Sequence, residues 1–133
     1  MILVDSSVWI DFFNGTSNTA VDRLQELLND SSSTLATADL VVYEVLRGFR
    51  SGRALAAAQA LMSELAQVEL GGLSNALLAG EHYRALRARG YSIRSPIDVL
   101  LASYCITHGH LLLHRDADFD VMEVLRGLRV APH

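Results

Sequence analysis

Four carboxylates are placed where they could do chemistry together: Asp5, Glu44, Asp98 and Asp116. Each has a plainer explanation on its own. Asp5 follows the apolar run Ile2-Leu3-Val4 and could cap a helix, although Ser6 and Ser7 already offer that cap. Glu44 sits among Val41, Val42, Tyr43, Val45 and Leu46, where a carboxylate is rarely buried without a partner. Asp98 closes Ser95-Pro96-Ile97-Asp98, a capping-box-like pattern, and Asp116 could cap a short turn leading to Phe119. Convergence is what would make them a site. Four carboxylates in one cleft repel one another and stay ionised only if cations neutralise them. Donors that are all oxygen favour Mg²⁺ or Mn²⁺ over zinc.

The elements that must position these acids follow from periodicity and caps. Ile2–Val4 reads as a strand, followed by a helix capped by Ser6 or Ser7 and closed at Asn14-Gly15. A helix is expected over 18–30, a strand over 34–38, and a helix from an Asp39 cap to about Arg50. Leu55, Ala58, Met62 and Leu65 keep helical spacing, and Val68-Glu69-Leu70 reads as a third strand. Ala76, Ala79, Tyr83 and Leu86 mark another helix, stopped by Gly90. The next start is the clearest: Ser95 at the cap, Pro96 at the first helical position, Asp98 at the third, with Gly109 as the stop. Leu111–Leu113 reads as a strand buried on both faces and Leu128–Ala131 as an edge strand. Strands alternating with helices imply an α/β domain with a mostly parallel sheet, in which ligands bind beyond the carboxyl ends of the strands. Crossover helices run antiparallel to their strands, so all four acids are expected on that one edge.

Composition sets the bounds. The 133 residues form one domain, 1–133, and half of them are hydrophobic, which suits a packed core. The N-terminus has no basic segment and Asp5 interrupts its apolar run, so neither a signal peptide nor a membrane span is expected, and a cytoplasmic protein is. Cys105 is the single cysteine and excludes an internal disulfide or a Cys-rich zinc site. It lies on an apolar stripe and is expected to be a buried thiol, as Trp9 is expected in the core. His108, His110 and His114 fall on a helix end, a loop and a strand rather than on one ligand face. The net charge is -4, yet all eleven basic residues are arginines, some grouped as Arg47, Arg50 and Arg53 and as Arg84, Arg87 and Arg89. These groups suit phosphate contacts, and equally a solvated surface.

The segments ILVDSSVWID, ADLVVYEVLRG, SPIDVLLASYC and LLLHRDADFD resemble, in order and spacing, the PIN-domain pattern, in particular the VapC toxins of bacterial toxin–antitoxin pairs. That resemblance covers nearly the whole chain. It implies a five-stranded, mostly parallel sheet with helices on both faces, a homodimer, and Mg²⁺-dependent cleavage of RNA, either transfer or ribosomal. It also implies a cognate VapB-type antitoxin. On this reading Asp5, Asp98 and Asp116 hold Mg²⁺, with Mn²⁺ as a possible substitute. Glu44 binds a second ion or orients a water, and Ser6 or Ser7 supports the acids from behind. Two positions depart from the pattern or leave it open. Where the family often has Thr or Ser, two residues before the fourth acid, this chain has His114. The fourth acid itself is Asp116 or Asp118, with Asp116 favoured because it lies nearer the strand end.

An Asp at the end of the first strand also suits aspartyl-phosphate phosphatases. Those folds use a lysine against the phosphoryl group, and this chain contains none. A PIN module without activity, working only through a partner, is the other alternative.

Overall fold

The computed structural model describes residues 1–133. The apolar run Ile2–Val4 is β1, followed at once by α1 (Ser6–Phe13). Next come α2 (Thr19–Asn29) and β2 (Leu35–Ala38), then α3 (Asp39–Leu46), α4 (Arg53–Ser63) and β3 (Ala66–Val68). The chain continues through α5 (Leu73–Ala88), α6 (Pro96–His108), β4 (Leu111–Leu113), α7 (Ala117–Arg126) and β5 (Arg129–Val130). No helix is long and apolar enough to cross a membrane.

Every strand pairing is parallel, in the order β3-β2-β1-β4-β5. Leu3 stands between Ala36 of β2 and Leu112 of β4. Leu3, Val4, Leu112 and Leu113 are fully buried, as an all-parallel sheet covered on both faces requires. Right-handed crossovers place α1–α4 on one face during the outward path to β3, and α5–α7 on the other during the return. The packing of α1 on α2 and α3, and of α6 on α5 and α7, follows this division. The path reverses between β1 and β4, so a crevice opens at the carboxyl ends of these two strands. The core that holds them includes Trp9, Leu24, Leu101, Phe119 and Met122.

Several boundaries differ from the sequence-based expectation, each for a local reason. Asp5, not Ser6 or Ser7, is the N-cap of α1, and its carboxylate accepts the Ser7 N–H. Ala38 precedes α3, and Asp39 is its first residue; the Asp39 carboxylate instead accepts the Leu70 N–H at 2.8 Å. That bond takes Leu70 out of the ladder, and β3 lies at Ala66–Val68 rather than at residues 68–70. α3 stops at Leu46, short of Arg50, because Gly48 and Phe49 turn tightly back on Val45 and Leu46 while the Phe49 ring packs on Phe13 at 5.7 Å. A helix, α7, occupies the stretch read as a short turn. Asp116 caps it, Asp118 and Asp120 favour its positive end, and Phe119 and Met122 bury its inner face.

Candidate active site

The four acids meet on the predicted edge, each held by its own element. Asp5 ends β1, its N–H donating to the Leu113 carbonyl of β4 at 3.0 Å, so its backbone is fixed between the two strands that flank the crevice. One carboxylate oxygen, Oδ2, accepts both the N–H and the hydroxyl of Ser7. Ser6, one residue on, turns its hydroxyl the other way and donates to Glu44 Oε1 on α3 at 2.9 Å. The adjacent serines therefore orient two different acids. Asp98 enters from the first turn of α6; the Ser95 hydroxyl accepts its N–H at 3.4 Å, which accounts for Ser95 but not for an acid at this place. Asp116 caps α7 from beyond β4, and its Oδ1 accepts the Asp118 N–H at 2.9 Å.

Electrostatics couple the four acids. Asp5 and Asp98 are 3% and 8% exposed, and no Arg, Lys or His pairs with either of them or with Glu44 or Asp116. Burial raises the Asp98 carboxyl to about 7, helped by the negative charges of Asp5, Glu44 and Asp116. Burial also raises Asp5, against the Ser7 and Ser6 hydrogen bonds that favour its ionised form, with Glu44 adding to the rise. Asp116 is among the charges that act on Asp98. Arg115, beside Asp116 in sequence, is turned away into a 3.4 Å ion pair with Asp11.

This donor set suits a hard divalent cation: carboxylate oxygens only, two of them buried and without a counter-charge. As the side chains stand, no three carboxylate, imidazole or thiol groups are close enough to enclose an ion. The acids share a field rather than forming a closed cage.

The other singled-out residues lie elsewhere. Trp9 is fully buried in the core. Cys105 is buried, and its thiol is pushed up to about 12 by that burial. His108 and His110 stack at 5.8 Å beside Tyr104 before β4, whereas His114 follows β4, so the three do not converge. Arg47, Arg50, Arg53, Arg84, Arg87 and Arg89 are all exposed. Arg47 lies over the exposed Tyr43 ring at 5.7 Å, on the helix that carries Glu44. Tyr83, on the helix that carries Arg84, lines one groove with Ile93, Arg94 and Pro96 at the start of α6. His114 is the site residue that the sequence left without a role: its Nδ1 accepts the Asp116 N–H at 3.1 Å.

Comparison with known proteins gives a consistent answer. The PIN domain family model matches residues 2–125. Ribonuclease VapC11 of Mycobacterium tuberculosis is 31% identical over 131 residues, which is 98% of this chain and 98% of that protein. Among solved structures, VapBC2 from Rickettsia felis, bound to a DNA fragment from their promoter, superimposes with a TM-score of 0.73 at 18% identity, covering 98% of both chains. VapC20 of Mycobacterium tuberculosis, a sarcin-ricin loop cleaving toxin, matches with a TM-score of 0.67 at 19% identity, over 91% of this chain and 94% of that one.

Proposed function

The chain belongs to the PIN-domain family, and from that premise we propose that it is the toxin of a toxin–antitoxin pair, an endoribonuclease whose phosphodiester hydrolysis depends on Mg²⁺. The observation that carries this reading is the set of four acids at the β1–β4 crevice, two of them buried and none paired with a cation. Asp5, Asp98 and Asp116 would hold the metal, and Glu44 would hold a second ion or a water. When bound, Mg²⁺ supplies the positive charge that lets an anionic phosphodiester approach anionic acids, and it acidifies water.

The chain's own residues supply orientation and proton control. Ser7 holds Asp5 Oδ2 and Ser6 holds Glu44 Oε1, so each acid is oriented by its own hydroxyl. With its carboxyl raised to about 7, Asp98 is partly protonated near neutrality, and a bound cation would favour release of that proton. The same anionic crevice suits a basic antitoxin segment. An Arg or Lys of a VapB-type partner would pair with the acids and occupy the place of the metal. A homodimer, and transfer or ribosomal RNA as the substrate, belong to the same reading.

Expression is the test of toxin function. Brief expression of this chain alone should arrest growth and leave cut RNA, and co-expression with a cognate VapB-type antitoxin should prevent both. A map of the cut ends distinguishes transfer from ribosomal RNA. A chain as harmless as its Asp5→Asn variant would favour the inactive-module alternative.

The exposed arginines are the proposed phosphate grip, with Arg47, Arg50 and Arg84 as candidates. RNA affinity is best measured in a cleavage-silent Asp98→Asn background across a salt series. Each lost contact to a single strand should reduce the log–log salt slope by about 0.7. A variant with all three removed whose slope matches the parent would return these residues to the solvated surface.

A further inference from the structure

We propose that His114 is a positioning residue for Asp116, standing in for the side chain of a hydroxyl turn and fixing how the fourth acid is presented. The idea rests on the metal-site reading above. His114 follows directly on β4 and is 5% exposed. Its Nδ1 accepts the Asp116 N–H at 3.1 Å, so the ring proton lies on Nε2, which is 3.9 Å from Asp120 Oδ1. The ring packs on Phe119 of α7 with centroids 4.9 Å apart.

A side-chain acceptor at one residue taking the N–H two residues later is the geometry of Asx and Ser/Thr turns. Here an imidazole nitrogen performs that role. The bond fixes the Asp116 peptide, while the Asp118 N–H fixes Asp116 Oδ1. Of the Asp116 carboxylate, only Oδ2 remains without a protein partner. The ring thus joins β4, the acid and the first turn of α7 into one unit, and removal of its acceptor lets the acid rotate. Asp116 is among the charges acting on Asp98, so the clamp also sets the spacing within the acidic group.

The test compares His114→Asn and His114→Thr, which can accept the same N–H, with His114→Leu, which cannot. Mg²⁺ binding by calorimetry, the Asp116 amide proton resonance and the melting temperature are measured on each. All three variants lose the Phe119 contact and should melt lower than the parent. Only His114→Leu should move the Asp116 amide upfield and lose Mg²⁺ affinity by roughly 10- to 100-fold; Asn and Thr should stay within about 3-fold. If His114→Leu does not fold, His114→Gln replaces it, because its carboxamide is one methylene too far along for this turn. Mg²⁺ affinities that track melting temperature regardless of the acceptor would overturn the proposal. So would an Asp116 amide that does not distinguish acceptor from non-acceptor variants. A parent that binds no Mg²⁺ would defeat the metal-site reading instead, and the amide resonance would still decide the role of His114.

Discussion

Asp98→Asn and Asp5→Asn should each lower RNA cleavage by about a thousand-fold or more, the scale of several kcal/mol of lost charge stabilisation, while making the metal-free protein more stable. The two effects share a cause. Asp98 has no cation, and burial with three neighbouring charges raises it from its ordinary value of 3.8 to about 7. An acid raised on folding adds stability below its unfolded value and loses that contribution as pH climbs through its folded value. Metal-free parent protein should therefore weaken between about pH 4 and somewhat above pH 7, and Asp5, raised by burial, acts in the same direction. Screening reduces the effect of Asp98 to the order of 2 kcal/mol. Asn keeps the shape without the charge, so Asp98→Asn should lose most of this slope and gain several degrees in melting temperature at pH 8. Denaturant titrations at pH 5 and pH 8 in chelator read it directly. Equal stability of parent and variant at both values would show that Asp98 carries no electrostatic burden.

Stripping the metal should have an effect as large as removing an acid. Chelator-treated protein should be inactive, with Mg²⁺ or Mn²⁺ restoring cleavage and Ca²⁺ doing so poorly. Calcium accepts more ligands at longer, looser distances, which positions phosphate and water badly. Binding should also stabilise the fold, by about 2.7 kcal/mol at a hundred times the dissociation constant. Because Asp98 must give up its proton, the Mg²⁺ concentration for half-saturation should fall as pH rises from about 6 to about 8. Full activity in excess chelator, or Mg²⁺ that leaves the melting temperature unmoved, would contradict the metal site.

The sequence displayed the parts of this site that depend on strand order and caps. Apolar runs at Ile2–Val4 and Leu111–Leu113 locate the two central strands, and the Ser95-Pro96 start fixes Asp98 at the third position of α6. The rule that ligands sit beyond parallel strand ends then gathers the acids. Local competition was less legible. Asp39 could cap or reach across, and the fold uses it on Leu70, which shortens β3. α7 was hidden because its first turn carries alternating acids, and the exposed Val124 blurs the stripe of Phe119, Met122 and Leu125. The division of labour between Ser6 and Ser7 was not visible either. Two adjacent hydroxyls read alike until the helix turns them about 100° apart, one to each acid. His114 showed only as a departure from the family pattern, since its partner is a backbone N–H two residues away and not another side chain.

The most direct test is cleavage of total RNA by the purified chain with Asp5 and Asp98 both replaced by Asn, run beside the parent in saturating Mg²⁺, with circular dichroism to establish that both are folded. The expected result is cleavage by the parent alone, abolished by excess chelator, and none by the folded double variant. Undiminished cleavage by the double variant would mean that the acids at the β1–β4 crevice are not where RNA is cut.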